Sequence, residues 1–423
     1  MFGITGKYNT AYVYADEIEN ESYSQIQNLL NNEVFSKGRI AIMPDTHAGK
    51  GSVIGFTAPL SDKIIPNIIG VDINCGVLGY NLGKNRKLKF DKLDKFIRNN
   101  IPAGSGQVNE SIDHELLTKI FPLLQCKDFE AWEKFAIKIK EVCLSTNQNY
   151  DYVLSSLGSL GSGNHFHAIE EDEDGNLWFL THSGSRNFGL SIATFHQNVA
   201  EENNLLIPKE EYQKMIEEIR STHKGKGIEA AIQQLRNKNK KKAATGLEFL
   251  SNQSAQNYFH DAHIAQIFAE LNRLMMVYKI INFYDLEYDS KNRIQTNHNY
   301  IDFEHGIMRK GAVSAQKDEI IFIPINMEYG TLLCRGKGNP DWNYSAPHGA
   351  GRLMSRSKAK SSISLEKYQY IMKKSGIWSS CVSKDTIDEA PQAYKKPEMI
   401  IKAIEPTAEI ISRLTPRYNF KAS

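Results

Sequence analysis

This 423-residue sequence contains only five cysteines, at positions 75, 126, 143, 334 and 381. An odd number scattered this widely excludes a disulfide framework and suits a reducing compartment, so a cytoplasmic location is expected. No apolar run approaches the roughly 18–20 residues that a membrane span needs, so no membrane partner is expected. Met1–Thr5 shows no basic region followed by an apolar stretch, and no signal peptide is expected. Net charge is also nearly absent, with 51 Lys+Arg against 49 Asp+Glu and a formal total of +2. That excludes a strongly basic coat but leaves room for a local basic groove. There is no fixed-period repeat, and no linker is rich enough in Pro, Gly or Ser to separate domains. With 41% hydrophobic and 24% charged residues, the composition is that of a folded chain.

The pattern that is present is mixed. Residues 39–43, 52–60 and 77–82 read as strands between Gly- and Pro-bearing turns, while 92–100 and 129–143 carry apolar residues at helical spacing. Residues 166–181 read as a hairpin closed at Asp174-Gly175. A two-residue turn there would set His167 opposite His182 and put His165, His167 and His182 on one face. Residues of about 190–281 are helix-rich, and strands return from Tyr284. The expected fold is therefore α+β to α/β. It is a single large mixed-sheet body over 1–423, with a helical insertion near 190–281 and a site in a central cleft. The run Arg236–Lys242 reads as a solvated helix end or loop, or alternatively as a phosphate-contacting surface.

Chemistry concentrates in glycine-dense turns that carry histidine. Met43-Pro44-Asp45-Thr46-His47-Ala48-Gly49-Lys50-Gly51-Ser52 lacks the spacing of a phosphate-binding P-loop, and no Lys-x-Asp-Gly nucleophile motif occurs. In Gly70-Val71-Asp72-Ile73-Asn74-Cys75-Gly76, Asp72 and Cys75 can share a cavity. A carboxylate with a thiolate can bind a divalent transition metal, and a capped turn over a buried cysteine fits the same residues. Gly163-Asn164-His165-Phe166-His167 and His182-Ser183-Gly184-Ser185-Arg186 bring imidazoles to the two ends of the hairpin, a plausible start to a metal site. Arg186 adds a guanidinium suited to phosphate. Asn297-His298-Asn299 ends a strand-like run, with Arg309-Lys310-Gly311-Ala312 after it. In His348-Gly349-Ala350-Gly351-Arg352, with Ser355-Arg356 beyond, Gly349 and Gly351 open the backbone beside an imidazole. Arg352 and Arg356 are four apart and would share a helical face. A ring nitrogen there can attack phosphorus while guanidiniums hold the charge.

Taken in order, these segments, with Asp388-Glu389-Ala390-Pro391 and Tyr394-Lys395, resemble the RtcB-type RNA ligases, a GTP- and manganese-dependent family. The resemblance implies two Mn²⁺ ions held by Asp72, Cys75, His165, His182 and His298, with the Cys75 thiolate bridging. It implies that His348 attacks the α-phosphate of GTP and carries GMP. Asn164, Phe166, Asn326, Gly349, Gly351, Tyr394 and Lys421 fall at nucleotide-pocket positions, and Arg186 and Arg352 at phosphate contacts. The implied reaction joins an RNA 3′-phosphate or 2′,3′-cyclic phosphate to a 5′-hydroxyl, in tRNA splicing or RNA repair. A monomer or weak oligomer is expected, and an activating protein partner is left open.

Four positions depart from the family pattern. The glutamate expected to read guanine is displaced by two, to Glu170. A usual Pro-Gly-Ser-Met-Gly stretch reads Pro324-Ile325-Asn326-Met327-Glu328. The terminal Lys-Gly is Lys421-Ala422, and Asn74 stands where glycine is usual. The ligand and nucleophile set is intact, which implies a divergent subgroup with the core chemistry kept. Two other readings share the site: a metal-dependent RNA-end phosphoesterase, and a non-catalytic RNA-binding paralogue.

Overall fold

The computed structural model describes residues 1–84, 88–203, 209–239 and 245–422. Its strands, in chain order, are β1 (Phe2–Thr5), β2 (Thr10–Val13), β3 (Ile40–His47), β4 (Ile54–Pro59), β5 (Gly76–Lys84), β6 (Phe166–Glu171), β7 (Asn176–Ser183) and β8 (Arg293–Asn297). They continue with β9 (Tyr300–Asp302), β10 (Ile307–Lys310), β11 (Ala312–Ser314), β12 (Ile320–Asn326), β13 (Gly330–Gly336), β14 (Ser345–Pro347) and β15 (Ala408–Lys421). One sheet runs β1-β2-β3-β4-β10-β9, a larger one β12-β13-β15-β6-β7-β5-β8, and β11 and β14 form a two-stranded ribbon. Most pairings are antiparallel, β2 with β3 being parallel. This is a mixed α+β molecule.

Strand alternation buries the larger sheet on both faces. Val77, Phe166, Ala168, Trp178 and Leu180 pack with Phe322 and Leu414 on one side. Leu78, Tyr80, Ile169 and Phe179 join the main core on the other, with Ile42 and Phe56 of the smaller sheet. The main core is completed by the helix Asn252–Phe283, which packs on β5, β7 and the helix Arg186–Asn203. That long helix buries Leu271, Leu274, Met275, Met276, Val277 and Ile280 around its whole circumference. A helix apolar on all sides belongs inside a core, and each such side chain contributes about 1.5–3 kcal/mol on burial. The helix-rich stretch therefore includes a central beam as well as the more exposed helices Lys209–Thr222 and Lys226–Asn239. Lys240–Lys242, the end of the basic run, lies outside the described residues. Among the described residues no helix is long and apolar enough to cross a membrane.

The hairpin register differs from the one the sequence predicts. Phe166 pairs with His182 and His167 with Thr181, one residue away from the expected pairing. Asp172 N–H donates to Asn176 O at 3.0 Å, so the loop beyond that pair has three residues, not two; Gly175 N–H donates to Asp172 O at 3.0 Å, and Gly175 has φ +83°. Asp172 accepts from the Asn176 amide groups and from Trp178 Nε1, which fixes this longer turn. A one-residue slip exchanges the faces of a strand. His167 accordingly leaves the His182 face and lies in the core between Phe179 and Phe420. Among the described residues neither of its ring nitrogens has a hydrogen-bond partner.

Candidate metal and nucleotide site

β6, β7, β5 and β8 are consecutive antiparallel neighbours, so the start of β6, the end of β7, the start of β5 and the end of β8 share one edge. His165, His182, Cys75 and His298 sit at those four points. The Sγ of Cys75 is 3.4 Å from His165 Nε2 and 3.2 Å from His182 Nε2, and His182 Nε2 is 3.2 Å from His298 Nε2. Asp72 Oδ2 is 2.9 Å from His165 Nε2. Two donor triads result, Cys75/His182/His298 and Asp72/Cys75/His165, each with its atoms within 4.8 Å of one another. Cys75 belongs to both. Sequence reasoning named all five residues, and the fold brings all five together.

The surroundings orient these donors. His165 Nδ1 faces Leu160 O at 2.8 Å and His182 Nδ1 faces Asn164 O at 3.3 Å, so both rings direct Nε2 at the cluster. Burial, reinforced by neighbouring imidazoles, pushes His182 and His298 well below the usual histidine range and keeps them neutral. Burial opposes the charge on Asp72, yet the His165 hydrogen bond holds its pKa down at about 2. Burial and Asp72 push the Cys75 thiol up, while Arg273 acts the other way. A bound divalent cation reverses the balance for such a thiol. Gly184 is required here, since a Cβ would lie 2.1 Å from Asp72 Oδ1.

Arg273 escaped the sequence reading. It is fully buried on the long helix and donates from Nη1 to Asn74 O (2.7 Å) and Ser183 O (2.8 Å), and from Nη2 to Asn297 Oδ1 (2.7 Å). Those residues are the chain neighbours of Cys75, His182 and His298. One guanidinium thus ties together three of the four strand ends. Asn74 has φ +57°, a left-handed conformation that asparagine tolerates better than most residues, which explains how it stands in for glycine.

His348 follows β14, from outside the larger sheet, and its ring centroid lies 4.8 Å from that of His298. Its Nδ1 is 2.7 Å from Oδ2 of the fully buried Asp45 on β3. A carboxylate acceptor fixes the proton on Nδ1 and leaves Nε2 with its lone pair. Asp45 lies in the segment Met43–Ser52, where nothing in the sequence alone assigns it this contact. Gly351 has φ +71°, and a Cβ there would lie 2.1 Å from Asp45 O, so glycine lets the His348 loop seat against β3.

A cavity of about 590 Å³ joins these groups. Its lining includes Asn164, Phe166, Glu170, Asn326, Gly349, Gly351, Arg352, Tyr394 and Lys421 besides Asp72, Cys75, His182, His298 and His348. The two-residue displacement of Glu170 preserves its strand face, because side chains alternate with period two. Burial pushes its carboxyl up to about 8. Asn326 uses its Oδ1 to accept from Glu328 and Tyr329 N–H, building the turn that replaces the expected glycines.

Two expectations change at the basic groups. Arg352 precedes the helix Arg356–Ser362, so the two arginines do not share a helical face. They converge instead on Glu389, at 3.1 Å and 2.7 Å, where Lys421 Nζ (2.7 Å) and Tyr394 O–H (2.6 Å) also bind. Burial opposes the charge on Glu389, and Lys421 and Arg356 hold its pKa at about 2. Arg186 does not join the cavity lining; its Nε donates to Ser159 Oγ at 3.1 Å and its guanidinium packs under Gly161. Arg309 and Lys310 are structural, the first binding Asp302 at 2.7 Å and the second the carbonyls of Lys50 and Asn67.

The family model of the tRNA-splicing ligase RtcB matches residues 25–422. Relatives include the RNA-splicing ligase RtcB of Escherichia coli K12, 28% identical over 94% of this chain and 93% of its own length. The tRNA-splicing ligase RtcB of Aeropyrum pernix is 25% identical over 96% and 94%. The RNA-splicing ligase RtcB homolog 2 of Entamoeba dispar is 26% identical over 88% and 79%. A match over nearly the whole chain, to ligases from bacteria, an archaeon and a eukaryote, makes this chain an RNA ligase of the RtcB family.

Proposed function

We propose that this enzyme uses GTP and two Mn²⁺ ions to join an RNA 3′-phosphate, or a 2′,3′-cyclic phosphate after hydrolysis, to a 5′-hydroxyl, in tRNA splicing or RNA repair. The observation that carries this reading is the placement of a two-triad donor set sharing Cys75 beside a histidine held by Asp45. Asp72, Cys75, His165, His182 and His298 fit a pair of divalent ions: a hard carboxylate, three borderline imidazoles and a soft thiol form two triads, each with its donor atoms within 4.8 Å of one another, and His182, His298 and Cys75 are uncharged and able to take a cation. Bound Mn²⁺ supplies charge neutralisation at phosphate oxygens.

The protein residues then divide the work. His348 Nε2 forms a bond to the α-phosphorus of GTP as the bond to pyrophosphate breaks, and Asp45 stabilises the imidazolium that develops. An oxygen of the RNA 3′-phosphate next takes GMP from His348, with cleavage of the P–N bond. The 5′-hydroxyl oxygen attacks the activated 3′-phosphorus and GMP leaves. Arg352 faces phosphate, and Arg186 supports the site from beneath Gly161. Asn164, Phe166, Asn326, Gly349, Gly351, Tyr394 and Lys421 shape the nucleotide pocket. Glu170 meets the base, where guanine N–H donors favour its ionised form.

Incubation with GTP labelled at the α-phosphate and Mn²⁺ is expected to leave acid-labile label on the wild type and none on His348→Ala. Equal labelling of both, or none on the wild type, overturns the reading. A broken tRNA anticodon loop serves as the ligation substrate. End trimming without GTP would instead support a phosphoesterase.

A further inference from the structure

We infer that a second cavity, adjoining the first, is a subsite for one base of the RNA strand, read by the side-chain amide of Gln392. This rests on the chain acting on RNA and is independent of guanylyl transfer. The cavity holds about 610 Å³, within the range of small-molecule sites. Asn326 and Tyr394 line both cavities, so a strand whose end reaches His348 has this space beside it. Its walls are largely apolar, from Leu353, Ile371, Ile377, Pro391, Pro397 and Pro416. Among these apolar groups stands the half-buried Gln392, whose Oε1 and Nε2 are covered and bonded to nothing among the described residues, so that a rotation of the side chain brings the amide to the cavity.

An unpartnered buried amide is costly, so a partner is expected from outside the chain. An amide offers one donor and one acceptor side by side, the complement of a base edge that pairs an acceptor with an amino group. The rim favours a base over a phosphate. Lys396 and Arg413 are offset there by Glu328 and Glu398, and Lys395 is already committed to the carbonyls of Pro44 and Thr46. The Arg413 guanidinium lies 3.9 Å from the Tyr329 ring centroid, forming a flat wall of the kind on which bases stack.

The test is direct binding of short fluorescent RNAs ending in a 3′-phosphate, with each of the last three positions varied through the four bases. Wild type is expected to rank the bases about fivefold or more at one position, the lower end of a bidentate base contact. Gln392→Leu, similar in size without the amide, is expected to flatten that ranking, and Gln392→Glu to move it to a different base. His348 labelling by GTP is expected to be unchanged in both variants, since Gln392 does not line the first cavity. No ranking in wild type, or the same ranking in wild type and Gln392→Leu, overturns the inference. Loss of labelling in wild type would overturn the guanylyl-transfer reading and leave the binding result to stand by itself.

Discussion

Asp45 and His348 are 303 residues apart and meet at 2.7 Å. The carboxylate is fully buried, so it can serve His348 as a fixed acceptor without a competing water. Replacing it by asparagine removes the charge that favours imidazolium and allows the wrong tautomer. Asp45→Asn is expected to slow guanylylation of His348 by on the order of 100-fold or more while metal content is unchanged. Labelling at the wild-type rate would mean that Asp45 is only a packing group. The five candidate metal-site residues were legible in the sequence because each lies beside or within a glycine-bearing or turn segment that concentrates its chemistry. The role of Asp45 was not legible, because nothing local to either segment encodes a contact between β3 and the loop after β14. The hub made by Glu389 was hidden for the same reason, since it depends on where Lys421 and two arginines arrive.

At the scale of elements, the ends of four adjacent strands form the candidate metal site and the helix Asn252–Phe283 holds those ends in place. Gln266 on this helix pairs with both backbone groups of Ile301, Asn272 donates to Gly184 O at 3.1 Å, and Arg273 spans three strand ends. Outer-shell groups of this kind set metal affinity by holding ligands in register. Arg273→Met is expected to weaken Mn²⁺ binding roughly 10- to 100-fold by equilibrium dialysis, and Arg273→Lys to recover part of it. In the Co²⁺-loaded protein the thiolate charge-transfer band should also change, which a general loss of stability would not cause. Unaltered affinity and band in a folded Arg273→Met protein would sink the idea. Helical character near this segment was readable from composition; its position against β5, β7 and β8 was not, because periodicity carries no information about which edge a helix meets. The hairpin makes the complementary point. Its existence was legible from Asp174-Gly175, but one extra loop residue, held by Asp172, decided the face of every side chain in β6.

Over the whole molecule, the number of histidines held neutral by burial sets the response to pH. Burial pushes His47 down to about 4 and His167 to about 3, and lowers His182 and His298 well below their usual range. In the unfolded chain each takes up a proton near pH ~6.5. The unfolded state therefore binds more protons below that pH, and stability falls as pH falls. Glu170 opposes this. Its pKa is raised to about 8, so its contribution is full below the unfolded carboxyl value and fades as pH rises through 8. Four imidazoles against one carboxyl leave a net uptake of about three protons on unfolding near pH 5.5. The metal-stripped protein is expected to lose Tm steeply from pH 7 to 5. Added Mn²⁺ should raise Tm more at pH 8 than at pH 6, because the raised Cys75 thiol would give up its proton on binding metal, whereas burial keeps His182 and His298 neutral at both pH values. His167 separates the two effects, since it is buried between Phe179 and Phe420 and faces away from His182. His167→Phe is expected to raise acid-side Tm and make its pH dependence shallower by about one proton, with Mn²⁺ content unchanged. A pH profile identical to wild type would show that His167 keeps its ordinary proton affinity in the fold, and that burial is not what governs acid lability here.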